Sequence, residues 1–137
     1  MAKKPEPANP VTPQGRACFD LFIKKWQEAL TLGDWRIEPS EKPAAKANAA
    51  EVNRFDLEAR LATYRIGTDF GSTPVTDQSI EEIACHEVLH VFLHELIQFA
   101  KDPTSKPSDV ASAEHRVINS LVRVLVPVAD PVFDTKG

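Results

Sequence analysis

A chain of 137 residues with 42% apolar and 26% charged residues has the size and composition of one soluble globular domain with one core. A net charge of −4, with no basic block beyond Lys3-Lys4, argues against nucleic acid as the partner, and no apolar run nears the roughly 20 residues of a membrane span. The N-terminus lacks the apolar core of a secretory signal, and two cysteines, Cys18 and Cys85, make no disulfide framework, so cytoplasmic residence is expected.

Residues 1–13 hold Pro5, Pro7, Pro10 and Pro13 and little to bury, so they are expected to form a disordered or extended tail. Lys4, Pro7 and Pro10 within it fall at basic-xxPxxP spacing, a pattern that Pro-recognising domains bind. A single domain is expected over 14–128, followed by a second tail over 129–137. Residues 15–32 carry Phe19, Phe22, Ile23, Trp26 and Leu30 at helical spacing, with Gly33 placed to cap the helix. Asp34 to Pro39 alternates about Trp35 and Ile37 and reads as a strand. A loop from Glu41 to Ala50 leads to two further strands, Val52–Phe55 and Arg60–Gly67, joined as a hairpin near Asp56-Leu57-Glu58-Ala59. In the second of these, Ala62, Tyr64 and Ile66 share one face. Thr68 to Pro74 is a loop. Ser79-Ile80-Glu81-Glu82 fits a capping box opening a helix to about Lys101, apolar on nearly every side and therefore central. Cys85 reads as a small buried residue of this helix. A loop over 101–108 and a last helix over 109–126, stopped by Pro127, complete an α+β arrangement.

The central helix contains His86-Glu87-Val88-Leu89-His90. Histidines four apart stack one turn above the other and can grip one metal ion, while the glutamate beside the first can reach a water on that metal. Zinc suits such donors: catalytic sites use three protein ligands and leave the fourth position to water, whose pKa falls to about 7. Glu87 is then the general base. The bland alternative is an ordinary pair of helix histidines satisfied by other partners. His94 continues the spacing, but one straight helix does not aim three successive turns at one tetrahedral ion, so it reads as pocket lining or core. The last helix has a stripe of Val110, Val117, Leu121 and Leu125, and a turn of about 100° per residue puts Glu114 near its middle. A carboxylate there needs a metal or an ion pair, with Arg65 the candidate partner for the latter. The expected metal ligands are therefore His86, His90 and Glu114, with His115 as the second choice for the third position or as a hydrogen-bond donor to an oxyanion. Arg60–Gly67 is a candidate edge strand for an extended peptide, and Tyr64 is either an oxyanion donor or, more simply, core.

On these residues the chain resembles the zincin peptidases of the gluzincin type, in which HExxH is followed by a glutamate on a downstream helix; here 24 positions separate His90 from Glu114. More narrowly, it looks like the small metallopeptidases encoded in bacteriophage and prophage genomes. The similarity runs through Leu32-Gly33-Asp34-Trp35-Arg36-Ile37, Ala62-Thr63-Tyr64-Arg65-Ile66, the His86–His90 motif and Glu114-His115. It also resembles the repressor-cleaving ImmA/IrrE group, which usually has a glycine inside the motif where this chain has Leu89, and the SprT-like group, which would favour His115. The resemblance implies a zincin-like α+β fold: a small, mostly antiparallel three-stranded sheet against an N-terminal, a central and a C-terminal helix. It implies Zn2+ as cofactor and a peptide or protein as substrate, with no nucleic acid and no membrane. The alternative in a different class is a non-catalytic, zinc-stabilised protein-interaction module.

Overall fold

The computed structural model describes residues 6, 8–45 and 48–126; the Lys4 and Pro7 of the proline pattern, the helix stop at Pro127 and the tail over 129–137 lie outside the described residues. Three helices and three strands follow the order α1 (Pro13–Ala29), β1 (Arg36–Pro39), β2 (Ala50–Asp56), β3 (Leu61–Ile66), α2 (Asp77–Lys101) and α3 (Pro107–Leu125). No helix among the described residues is long and apolar enough to cross a membrane.

The hydroxyl of Thr12 accepts the amide of Gly15, and Pro13 occupies the first turn, where its missing N–H costs nothing. This starts α1, which buries Phe19 and Ile23. The chain ahead of the helix is extended but not loose: Asp69 accepts the amide of Asn9, and the amide of Val11 donates to the carbonyl of Thr68. At the other end the left-handed turn falls on Thr31 (φ 57°) rather than on Gly33, the expected cap. The hydroxyl of Thr31 bonds Ser120 on α3, which offsets part of the strain of a β-branched residue in that conformation.

The sheet has the order β1-β3-β2. β2 and β3 form the expected antiparallel hairpin, turning through Leu57–Arg60 with Arg60 at φ 53°. β1, however, pairs parallel to β3, so the sheet is mixed and not mostly antiparallel. The reason lies in the loop after β1, which crosses the end of β3 to reach its far side: Ser40 donates to Tyr64, Ala44 to Ile66, and Gly67 returns a bond to Ala49. A Cβ on Gly67 would stand 2.6 Å from the carbonyl oxygen of Asn48, so this crossing needs glycine. The third strand by sequence is thus the central one. It reads as such in Ala62, Tyr64 and Ile66, all buried on the helical side.

α2 begins three residues before the expected box: Thr76 and Ser79 cap each other reciprocally, with Asp77 in the first turn. It packs against α1, β2 and α3, as a helix apolar on most sides must. Its buried residues, Ile80, Ala84, Val88, Val91 and Phe92, join Phe19, Ile23, Trp35 and Tyr64 in one core. α3 meets that core through Ala113, Val117, Leu121 and Val124. Val117 and Leu121 belong to the stripe read in the sequence, but Ala113 and Val124 stand in place of the expected Glu114 and Leu125, and Leu125 is 73% exposed. Ala113 is the buried residue of α3, and the neighbouring Glu114 is exposed.

Candidate metal centre

His86 and His90 lie one turn apart on α2, with rings edge to face and centroids 4.9 Å apart. Their Nε2 atoms are 3.2 Å from each other. Both rings are exposed, and beneath them Glu87 is buried at 5% exposure. Ligand atoms of the three residues all lie within 4.8 Å of one another. Glu87 is the only buried charged side chain among the described residues, and no lysine or arginine is paired with it. Burial pushes its carboxyl above the ordinary glutamate range and Glu51 adds to the rise, while His90, His86 and the backbone amide of Val52 work against it.

The strand beside these residues is β2, not the Arg60–Gly67 segment expected as the edge. β3 is paired on both sides and has no backbone groups to offer, whereas β2 has α2 at its outer flank and no further strand. Two depressions, of about 400 and 300 Å³, meet at His86 and Glu87. One runs past Asn48 and Ala50 towards Glu82 and Ile83, the other past Val52 and Phe55 to His90. Together they form a cleft along the edge of β2. On the other side of His86 a depression of about 470 Å³ is walled by Trp26, Cys85 and Leu89. Cys85 is thus partly exposed rather than buried, and both cysteines are free thiols.

The remaining sequence candidates stand elsewhere. Glu114 is exposed on α3 and does not join the group, whereas its neighbour Ala113 is buried. His115 is exposed as well and does not join the group. Arg65, the candidate partner of Glu114 in the ion-pair alternative, lies instead beside Glu51, opposite it across the β2–β3 ladder at 3.8 Å. The hydroxyl of Tyr64 donates to Asp20 on α1 at 2.6 Å, and its ring leans on Phe19; it is a core residue, and burial raises its phenol well beyond the ordinary range. His94 stacks flat on Phe55 with centroids 4.1 Å apart and meets the edge of Trp35, so it supports one wall of the cleft from behind. Sequence reading missed Val52 and Phe55 as walls of the site. The signal was the polar pair Asn53-Arg54 inside that strand, which suits an edge better than a centre.

Compared with known proteins, the sequence matches no family model, no curated protein and no solved structure.

Proposed function

We propose that this chain is a metal-dependent peptidase whose cleft between β2 and α2 takes an extended peptide. The observation that carries the proposal is the buried Glu87, without a lysine or arginine partner among the described residues, beneath two imidazoles whose Nε2 atoms are 3.2 Å apart. Two nitrogens bound to one tetrahedral zinc at about 2.05 Å stand about 3.3 Å from each other, so the pair is spaced to share an ion without moving. Two imidazoles with a nearby carboxylate favour zinc over the harder cations, which prefer oxygen. When bound, such an ion acidifies a water and polarises a carbonyl. His86 and His90 would hold it.

Glu87 then has the right properties for the proton. Its raised pKa brings a carboxylate closer to neutrality, where it can both accept a proton from water and return it to a leaving amine. Its burial keeps the carboxylate from being solvated away from that task. β2 is the outermost strand of the sheet on this side, and an extended peptide would lie along it as an added strand, across His86 and Glu87. A zinc-stabilised interaction module would instead call for a closed shell of four ligands. Here only the two imidazoles and the Glu87 carboxylate assigned as base come together among the described residues, short of four ligands, and both imidazoles are open to solvent.

The test is zinc content and affinity by calorimetry, alongside cleavage of an unfolded protein substrate. Wild type is expected to bind about one zinc per chain. His86→Ala and His90→Ala should lose it. Glu87→Gln should keep the metal but lose turnover by about 10²- to 10⁴-fold. Glu114→Ala should leave both unchanged, since Glu114 stands in solvent. Absence of zinc binding in wild type, or full turnover by Glu87→Gln, overturns the proposal.

A further inference from the structure

The molecule has a second concavity, remote in composition from the metal centre, where α1 ends against α2 and α3. Its volume is about 310 Å³, within the roughly 300–1,000 Å³ range of small-molecule sites. The floor is apolar and belongs to the core: Trp35, Val91, Phe92 and Ala113 are each at most 8% exposed. The rim is charged. Glu95, 20% exposed at its side chain, accepts from Arg60 at 3.2 Å and from Arg116 at 2.9 Å. Arg60 also lies 3.8 Å from Asp34 and stands over the Trp35 ring. A third guanidinium, Arg123, lines the same rim and has no carboxylate within ion-pair distance among the described residues.

Three arginines against Asp34 and Glu95 leave the lining with one positive charge in excess. Two of the three are committed to Glu95, so one guanidinium is left for a ligand. That matches a single negative charge and not a polyphosphate. The apolar floor asks for a hydrocarbon or aromatic body under that charge. The rim is also held in place before any ligand arrives: Thr31 in its left-handed turn and Ser120 on α3 are joined by their hydroxyls across it.

We propose that this cavity is a second binding site, for a small amphipathic carboxylate whose apolar body rests on Trp35 and Phe92 and whose head is taken by Arg123. A guanidinium–carboxylate pair is bidentate and about twice as strong as a neutral hydrogen bond, so the head group should dominate selectivity.

Octanoate, octanol and octylammonium share one body and differ in the charge of the head. Each is titrated into the full chain by calorimetry in the presence of EDTA, which removes any contribution from the metal centre. Octanoate is expected to bind at one saturable site, with octanol and octylammonium weaker by about tenfold or more. Arg123→Gln should weaken octanoate by about tenfold and leave octanol unchanged. Asn119→Trp, at an exposed position of the mouth, should abolish binding of all three. Neither substitution touches a buried residue, and unchanged melting temperatures establish that both variants fold. Octanol binding as tightly as octanoate, wild-type affinity in Arg123→Gln, or no saturable binding up to about 10 mM would each overturn the assignment. His86→Ala should bind octanoate as wild type does, so failure of the peptidase reading leaves this result standing, and the reverse.

Discussion

Glu87 and His94 lie about two turns apart on α2, and the same cause drives their pKa values in opposite directions. Burial penalises the charged form of each, so it raises the carboxyl and lowers the imidazole, where the charge of Lys101 adds to the effect. For His94 the sign of the stability term follows directly. As pH falls below about 6.5, the unfolded chain takes up a proton on this imidazole that the folded chain still refuses. Stability is therefore fully present above that value and declines as pH falls from it towards the lower folded value. Glu87 acts in the other sense, favouring the fold while protonated and losing that contribution as pH rises through its elevated pKa. Replacing His94 by Phe, which suits the flat contact with Phe55, removes the first term and leaves the second. The urea midpoint of His94→Phe should therefore fall less than that of wild type between pH 7 and pH 5, a range set by the ordinary histidine value of about 6.5. An equal decline in both would mean that His94 does not titrate differently on folding.

At the level of elements, one wall of the site depends on Gly67, which lies outside the cleft lining. The loop over β3 brings Asn48 and Ala49 to the wall of the cleft, and Gly67 is what lets the two backbones approach. Gly67→Ala should force the Asn48 carbonyl to retreat, at a cost of about 1–3 kcal/mol in denaturant unfolding, and it should weaken zinc binding less than it weakens peptide turnover. Much of this level was legible in the sequence. Phe19, Ile23 and Trp26 specified α1, the alternation of Ala62, Tyr64 and Ile66 gave the inner face of β3, and His86 to His90 lay on a central helix as their apolar neighbours required. What escaped was relative placement. Nothing in Arg36-Ile37-Glu38-Pro39 says which neighbour it will pair with, since local alternation encodes a face and not a partner. The face of α3 was misread for a related reason. Counting large apolar residues selects Leu125 and leaves out Ala113, the residue of α3 that is buried. Glu114 was drawn into the stripe by that error.

For the whole molecule, the proposed metal centre would link metal and fold by mass action. An ion that binds only when α2 is formed should stabilise the chain by about 2.7 kcal/mol at a free concentration one hundred times its dissociation constant. Zinc is accordingly expected to raise the melting temperature of wild type, EDTA to return it, and His90→Ala to show neither response. The same wholeness shapes how the chain is made. β3 lies between β1 and β2 but follows both in the sequence. Neither earlier strand has a partner in this sheet until the later one arrives, so the first half of the domain leaves the ribosome with its strand edges bare. The hairpin can close locally through Leu57–Arg60, but β1 must wait and then find its place across a gap of more than twenty residues. Such long-range pairing is slow compared with a local turn. The insertion of a late strand between two early ones thus sets an order of assembly, hairpin before parallel pair, and makes the waiting β1 the segment most exposed to wrong partners during synthesis.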